Sequence, residues 1–181
     1  MLAFALVWFN FIETDPVPAV TAEPAAEAPV ETEEEPAAVG SEIGNQLPDF
    51  ETELLGGGTF RLSDHRGQAV IINFWGTTCA PCVAELPYYE QLKENYPDVE
   101  ILAIRHRAGA KKAEAFLADK GWDQLDFALD SKTKGLFTLL NASDAMPQTI
   151  VLNRQGLVIY NAQTPLDYEK LEALYKQALE D

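Results

Sequence analysis

The sequence predicts an α/β protein: a central mixed β-sheet flanked by helices, with a β-hairpin added at its N-terminal side. Three observations carry this. Residues 69–75, AVIINFW, form a near-continuous apolar run rich in β-branched side chains, the composition of a strand buried on both faces. Strand-like runs then alternate with segments of helical apolar spacing, the order that layers helices against one sheet. Two further strand-like runs around Arg154-Gln155-Gly156, followed by an amphipathic segment, close the chain with a hairpin and a helix.

At the start of the chain, residues 2–12 read LAFALVWFNFI, apolar apart from Asn10. The run is shorter than the ~20 residues that span a bilayer and lacks the Lys or Arg that normally precedes a signal sequence. Three readings stand: the end of a membrane anchor, a signal peptide with Val20-Thr21-Ala22 as a distant cleavage site, or a segment that packs on the domain. Without a nearby cysteine, a lipoprotein anchor is excluded. Residues 13–40 are Pro, Ala, Val and Glu with no apolar period, a composition that cannot bury enough surface to offset chain entropy. They read as a disordered acidic linker reaching roughly 85 Å if extended at ~3.1 Å per residue. Apolar stub (1–12), charged spacer (13–40) and folded domain (41–181) are the layout of a tethered protein, which favours the anchor; a solvated tail without a role is the plainer alternative.

Within the domain, Leu47-Pro48-Asp49-Phe50 and Thr59-Phe60-Arg61-Leu62 flank Gly56-Gly57-Gly58, as two arms of a hairpin would. After the strand at 69–75 a helix begins at Cys79 or Ala80. Pro81 lies in its first turn, where a missing N–H is harmless. Val83, Leu86, Tyr89, Leu92 and Tyr96 follow at helical spacing, and Pro87 kinks rather than ends the helix. Residues 99–104 read as a strand, 110–120 as a helix stopped by Gly121, 125–129 as a short strand, and 132–140 as a helix or turn. Residues 149–153 and 157–160 pair as a hairpin, and 167–179 form the closing helix.

Charge is unevenly spread. Residues 1–50 hold ten Asp or Glu and no Lys or Arg, leaving nineteen acidic and thirteen basic residues for 51–181. No basic stripe exists for nucleic acid, whose phosphates such a chain repels. Two cysteines cannot build a multi-bridge secreted scaffold or, with His65 and His106 far apart in sequence, a four-ligand zinc site. No cofactor or metal is implied.

Cys79-Ala80-Pro81-Cys82 follows a buried strand and opens a helix. A helix N-terminus offers unpaired N–H groups and partial positive charge, which stabilise a thiolate, and the thiolate is the nucleophile of disulfide exchange. Cys79, at the very end of the helix, is expected to be exposed and reactive; Cys82, one turn in, to be shielded and to resolve the mixed disulfide. A bare CxxC is also half a zinc site, but the second half is absent. As a purely structural bridge its loop is too short to gain much closure entropy. Met146-Pro147 precedes the strand at 149–153. A Pro there can be punctuation; a cis bond would instead turn the Met146 backbone toward a substrate, to pair as an added strand does.

These motifs together resemble the TlpA/ResA-like branch of the thioredoxin superfamily. The matching pieces are LPDF at 47–50, the glycine hairpin, Gly67, NFWGTTCAPC at 73–82, Glu85-Leu86-Pro87, Met146-Pro147 and LNRQG at 152–156. The resemblance covers roughly 47–179 and implies a thioredoxin-like fold. It also implies reduction of partner-protein disulfides outside the cytoplasm, often in cytochrome c maturation, with electrons from a membrane thiol carrier. Thioredoxin itself has an Asp where this chain has Asn73, so the proton relay moves elsewhere. In this branch Glu85 is the position that takes part, although composition alone reads it as a helix-surface carboxylate. Thr78 stands where the family usually has Trp, which removes an aromatic docking surface. The substrate-contacting set is then Trp75, with one edge near the site, Thr78, Pro81, Met146 and Pro147.

Other readings carry less. Arg105-His106-Arg107 follows a strand and reads as a solvated loop at the rim of the site; His65 reads as a turn residue. Copper delivery on the same fold is the second functional reading, with His106 as the one conceivable third ligand, but those proteins space their cysteines more widely. Peroxide reduction on this fold wants Thr and Pro at the positions held by Gly76 and Ile72.

Overall fold

The glycine triplet does turn a hairpin, between β1 (Glu51–Glu53) and β2 (Thr59–Arg61), which pair antiparallel. Gly57 and Gly58 both take positive φ, +91° and +88°, where a side chain would be strained. The first arm starts later than the sequence reading placed it. Leu47 and Phe50 are buried anchors ahead of the strand, because Pro48 has no N–H to offer a ladder. The computed structural model describes residues 37–106, 109–130, 135–142 and 145–180, all within one unit, Glu35–Asp181. The apolar segment 1–12 and the linker as far as residue 36 lie outside the described residues. Ala38 and Gly40, which the sequence reading counts with the linker, are bonded to the domain: Gln46 N–H donates to Ala38 O (2.8 Å) and Gly40 N–H to Gln46 O (3.0 Å).

The central strand β3 (Val70–Trp75) is buried throughout. It leads into α1 (Ala80–Asn95), which runs on through Pro87. Next come β4 (Glu100–Arg105), α2 (Ala110–Lys120), β5 (Asp126–Leu129), a single turn α3 (Leu136–Leu139), β6 (Gln148–Leu152), β7 (Val158–Ala162) and α4 (Tyr168–Glu180). Gly121 ends α2 in the left-handed region, as expected. Of the stretch read as helix or turn, 132–134 lie outside the described residues. The sheet order is β5-β4-β3-β6-β7, parallel through β5, β4 and β3 and antiparallel at β6 and β7.

Alternation along β3 divides the core. Ile71 and Trp75 join Cys82, Leu86 and Tyr89 of α1, Leu117 of α2 and Leu171 and Leu174 of α4 on one face. Val70, Ile72 and Phe74 meet the hairpin's Phe60 and Leu136 on the other. Asn73 therefore points toward α1, from the middle of an apolar face. No helix among the described residues is long and apolar enough to cross a membrane.

Arg105 and His106 are not a solvated loop. Parallel pairing runs one residue further than the apolar pattern, to Trp75 opposite Arg105, and takes Arg105 into the sheet. Its guanidinium donates to Thr77 Oγ1 (2.7 Å) and lies over the Trp75 ring. His106 stacks on Phe137 and sits 3.2 Å from Asp130 Oδ2 through Nδ1. Arg107 is outside the described residues.

Candidate active site

β3, the central strand, ends at Trp75, and a tight turn, closed by Cys79 N–H donating to Gly76 O (3.0 Å), brings the chain round into α1. Cys79 is the N-cap of that helix: its backbone is extended and its Sγ accepts from the Cys82 N–H at 3.3 Å. This sulfur sits where the helix presents unpaired donors, the arrangement that favours a thiolate when the bond to Cys82 is open. In the structure the two cysteines are joined as a disulfide. Cys79 is half-buried and Cys82 wholly buried, so an incoming group can approach only the first.

The Met146–Pro147 bond is cis. A Cβ at Gly76 would lie 3.5 Å from Met146 Cε and 3.9 Å from Cys79 Cβ, so Met146 and Cys79 flank the same glycine. Pro147 is buried beside them at the foot of β6. Thr78, Ala80 and Pro81 are exposed around the disulfide. Trp75 differs from the expectation of an edge at the site. It is fully buried against Phe116 and Phe127, because its strand ends inside the sheet, and it supports the loop from behind.

Glu85 lies one turn beyond Cys82 on α1 and is 1% exposed, not the surface carboxylate that composition favours. Asn73 Nδ2 donates to its Oε1 at 2.8 Å, and the Leu166 backbone N–H donates to its Oε2 at 2.9 Å. Burial raises its pKa to about 7 against the opposing pull of these two hydrogen bonds. A cavity of about 340 Å³ lined by Pro81, Ala84, Glu85, Tyr88, Leu166 and Asp167 connects this carboxyl to the CxxC surface. A larger cavity, about 440 Å³, sits between the hairpin, α2 and β5, and no cysteine lines it.

Three members of this site were not singled out from the sequence as site residues. Tyr89 OH and Thr149 Oγ1 lie 2.7 Å apart, and both face Asn73. Tyr89 had a visible signal, helical spacing from Glu85, but reads as core. Thr149 had none, since only sheet pairing sets it opposite Asn73. Arg105 is the third. Among the described residues no three His, Cys, Asp or Glu side chains gather to hold a metal.

A disulfide-bonded CxxC capping the helix that follows the central strand, with a cis-proline beside it, defines a thioredoxin-fold redox site. Comparisons with known proteins agree. The profile of the AhpC/TSA family matches residues 43–161. The chain is 35% identical to the thiol-disulfide oxidoreductase ResA of Geobacillus kaustophilus over 135 residues, 71% of this chain and 75% of that protein. It is 31% identical to the thioredoxin-like protein YneN of Bacillus subtilis over 121 residues, 66% of this chain and 71% of that one. Among solved structures, a putative thiol:disulfide interchange protein DsbE from Chlorobium tepidum superposes with a TM-score of 0.66 at 28% identity, covering 76% of this chain and 97% of that one. The chain belongs to the AhpC/TSA family and, within it, to the TlpA/ResA-like thiol–disulfide oxidoreductases.

Proposed function

We propose that this enzyme works outside the cytoplasm, held to a membrane by its N-terminal segment, and reduces disulfides of partner proteins through Cys79 and Cys82. The observation that carries the reading is the asymmetry of the pair: an approachable Cys79 at the helix N-cap and a buried Cys82 one turn in. In the reduced enzyme the Cys79 thiolate attacks one partner sulfur. A Cys79–partner bond forms, the partner's disulfide breaks, and its other sulfur leaves as a thiolate that takes up a proton from solvent. Cys82 then gives its proton to Glu85 and attacks Cys79 Sγ. The Cys79–Cys82 bond forms, and the second partner sulfur departs and takes up a proton. Two electrons have passed to the partner, and the enzyme is left oxidised. A membrane thiol carrier returns it to the dithiol. Thr78, Pro81 and the Met146–Pro147 segment form the surface that meets the partner. Cytochrome c maturation and envelope redox homeostasis are the pathways that use such a reductase.

The decisive experiment is trapping. Cys82→Ser leaves the first step intact and removes the resolving thiol, so disulfide-linked complexes through Cys79 accumulate in cells and identify the partners. Cys79→Ser traps nothing. If complexes instead accumulate in Cys79→Ser, or if Cys82 is alkylated faster than Cys79 in the reduced protein, the two roles are reversed. The tether has its own test. A chain beginning at residue 35 keeps its melting temperature and its reductase activity in solution but loses membrane association on fractionation. A large fall in melting temperature would mean that the removed segment supports the domain.

A further inference from the structure

An asparagine amide has nearly the same shape either way round, so in a buried site its neighbours decide whether the NH₂ or the oxygen faces a given group. Around Asn73 that decision is one-sided. Nδ2 faces three oxygens, Glu85 Oε1 at 2.8 Å, Tyr89 OH at 3.2 Å and Thr149 Oγ1 at 3.3 Å. Oδ1 is buried with no hydrogen-bond partner among the described residues. Leaving a buried carbonyl unpaired is unfavourable, so something must hold the NH₂ where it is. Glu85 alone cannot, because a protonated carboxyl would as readily donate to the oxygen of a reversed amide.

We propose that Tyr89 and Thr149 are positioning residues for proton transfer, holding the Asn73 amide with its NH₂ turned to Glu85 so that Glu85 is kept as a hydrogen-bond acceptor ready to take a proton. The inference rests on the reading of Glu85 as the base for Cys82. The two hydroxyls lie 2.7 Å apart and bond to each other, and each oxygen keeps a lone pair within reach of Nδ2. Asn73 then gives one N–H to Glu85 and shares the other between them. Three elements make the clamp: α1 supplies Tyr89 one turn beyond Glu85, β6 sets Thr149 opposite Asn73, and β3 carries the amide. The remaining titratable groups around this cluster are Tyr160 of β7 (which faces Tyr89), Tyr88 and Asp167 on the rim of the cavity that Glu85 lines, and the cysteines on its own helix. Burial raises the proton affinity of Glu85, and the Leu166 N–H and the Asn73 amide oppose it, so turning the amide oxygen toward Glu85 would remove one of those two opposing bonds.

Tyr89→Phe keeps the ring and removes one acceptor; it also frees the Thr149 hydroxyl to donate to the oxygen of a reversed Asn73. The carboxyl ¹³C titration of Glu85 in the oxidised full chain reads the consequence directly. The expected result is a proton affinity raised roughly threefold to tenfold, half a unit to one unit of midpoint. The shift is larger in Tyr89→Phe with Thr149→Val, and near zero in Thr149→Ser, which restores the hydroxyl. Midpoints unchanged in both the single and the double variant would overturn the proposal. A change confined to urea stability would overturn it too, since that is what packing alone predicts. If the variants do not fold, the wild-type protein decides: the Asn73 side-chain ¹⁵NH₂ signals must shift with the Glu85 midpoint, and invariant signals reject the clamp. Because the titration does not use turnover, the two readings fail separately. Normal resolution by Glu85→Gln would remove the base assignment, and an unshifted Glu85 midpoint would remove the clamp.

Discussion

Replacing Glu85 with Gln is expected to slow resolution of the mixed disulfide by about 10²–10⁴-fold near neutral pH, the range of a positioned general base, while the first attack by Cys79 keeps its rate. The buried Cys82 thiol does not ionise readily by itself, because its surroundings disfavour the anion. Asn73, where thioredoxin has an Asp, cannot take its proton. Glu85 is the carboxyl one turn away, and burial brings its pKa to about 7, where it can both accept and return a proton. The base form grows as pH rises through that value, so the wild-type resolution rate climbs across neutrality and then levels, and Glu85→Gln loses that limb. Stopped-flow release from a Cys79-linked model partner, followed from pH 5.5 to 8.5, separates the steps. Equal release by the two proteins across that range would return Glu85 to a structural role.

Much of this arrangement is legible in the sequence because it depends on local order. The strand–CxxC–helix junction is contiguous, and the N-cap geometry of Cys79 follows from Pro81 in the first turn. The polar Asn73 inside AVIINFW marks the one place where the strand's buried face needs a partner. The partner itself is less readable. Glu85 reads as solvated until the closing segment is placed, since the Leu166 N–H that binds its Oε2 arrives from 81 residues away. Thr149 enters only through the register of β6 on β3. Arg105 misleads because charge is a good guide to exposure except where a sheet ladder carries the backbone inward and an aromatic ring faces the guanidinium. The hairpin's first arm misleads too: LPDF looks like a strand by composition, but Leu47 and Phe50 are buried by packing with Phe60, Leu62 and the sheet rather than within a strand.

The same carboxyl makes the fold's stability depend on pH. Unfolded, Glu85 titrates near the usual ~4.3; folded, it titrates at about 7. Below pH 4 both states hold the proton, and the site contributes no difference. Between those values the unfolded chain has released its proton while the native state retains it, so rising pH favours unfolding. Each unit of separation is worth about 1.4 kcal/mol, which gives a loss approaching about 4 kcal/mol once pH is well past the folded value, and no further loss above it. Glu85→Gln has no proton to release there. Glu90 and Glu100, whose pKa values are also raised by burial, are common to both proteins and cancel in the comparison. The expected result, from urea unfolding of the oxidised proteins at pH 4, 6 and 8, is that the stability of the wild type relative to Glu85→Gln falls by about 3 kcal/mol over that span. Parallel stability curves would mean that Glu85 ionises freely in the folded state, and a freely ionised carboxylate is a poor acceptor for a thiol proton. The measurement therefore tests the electrostatics of the site without relying on any substrate.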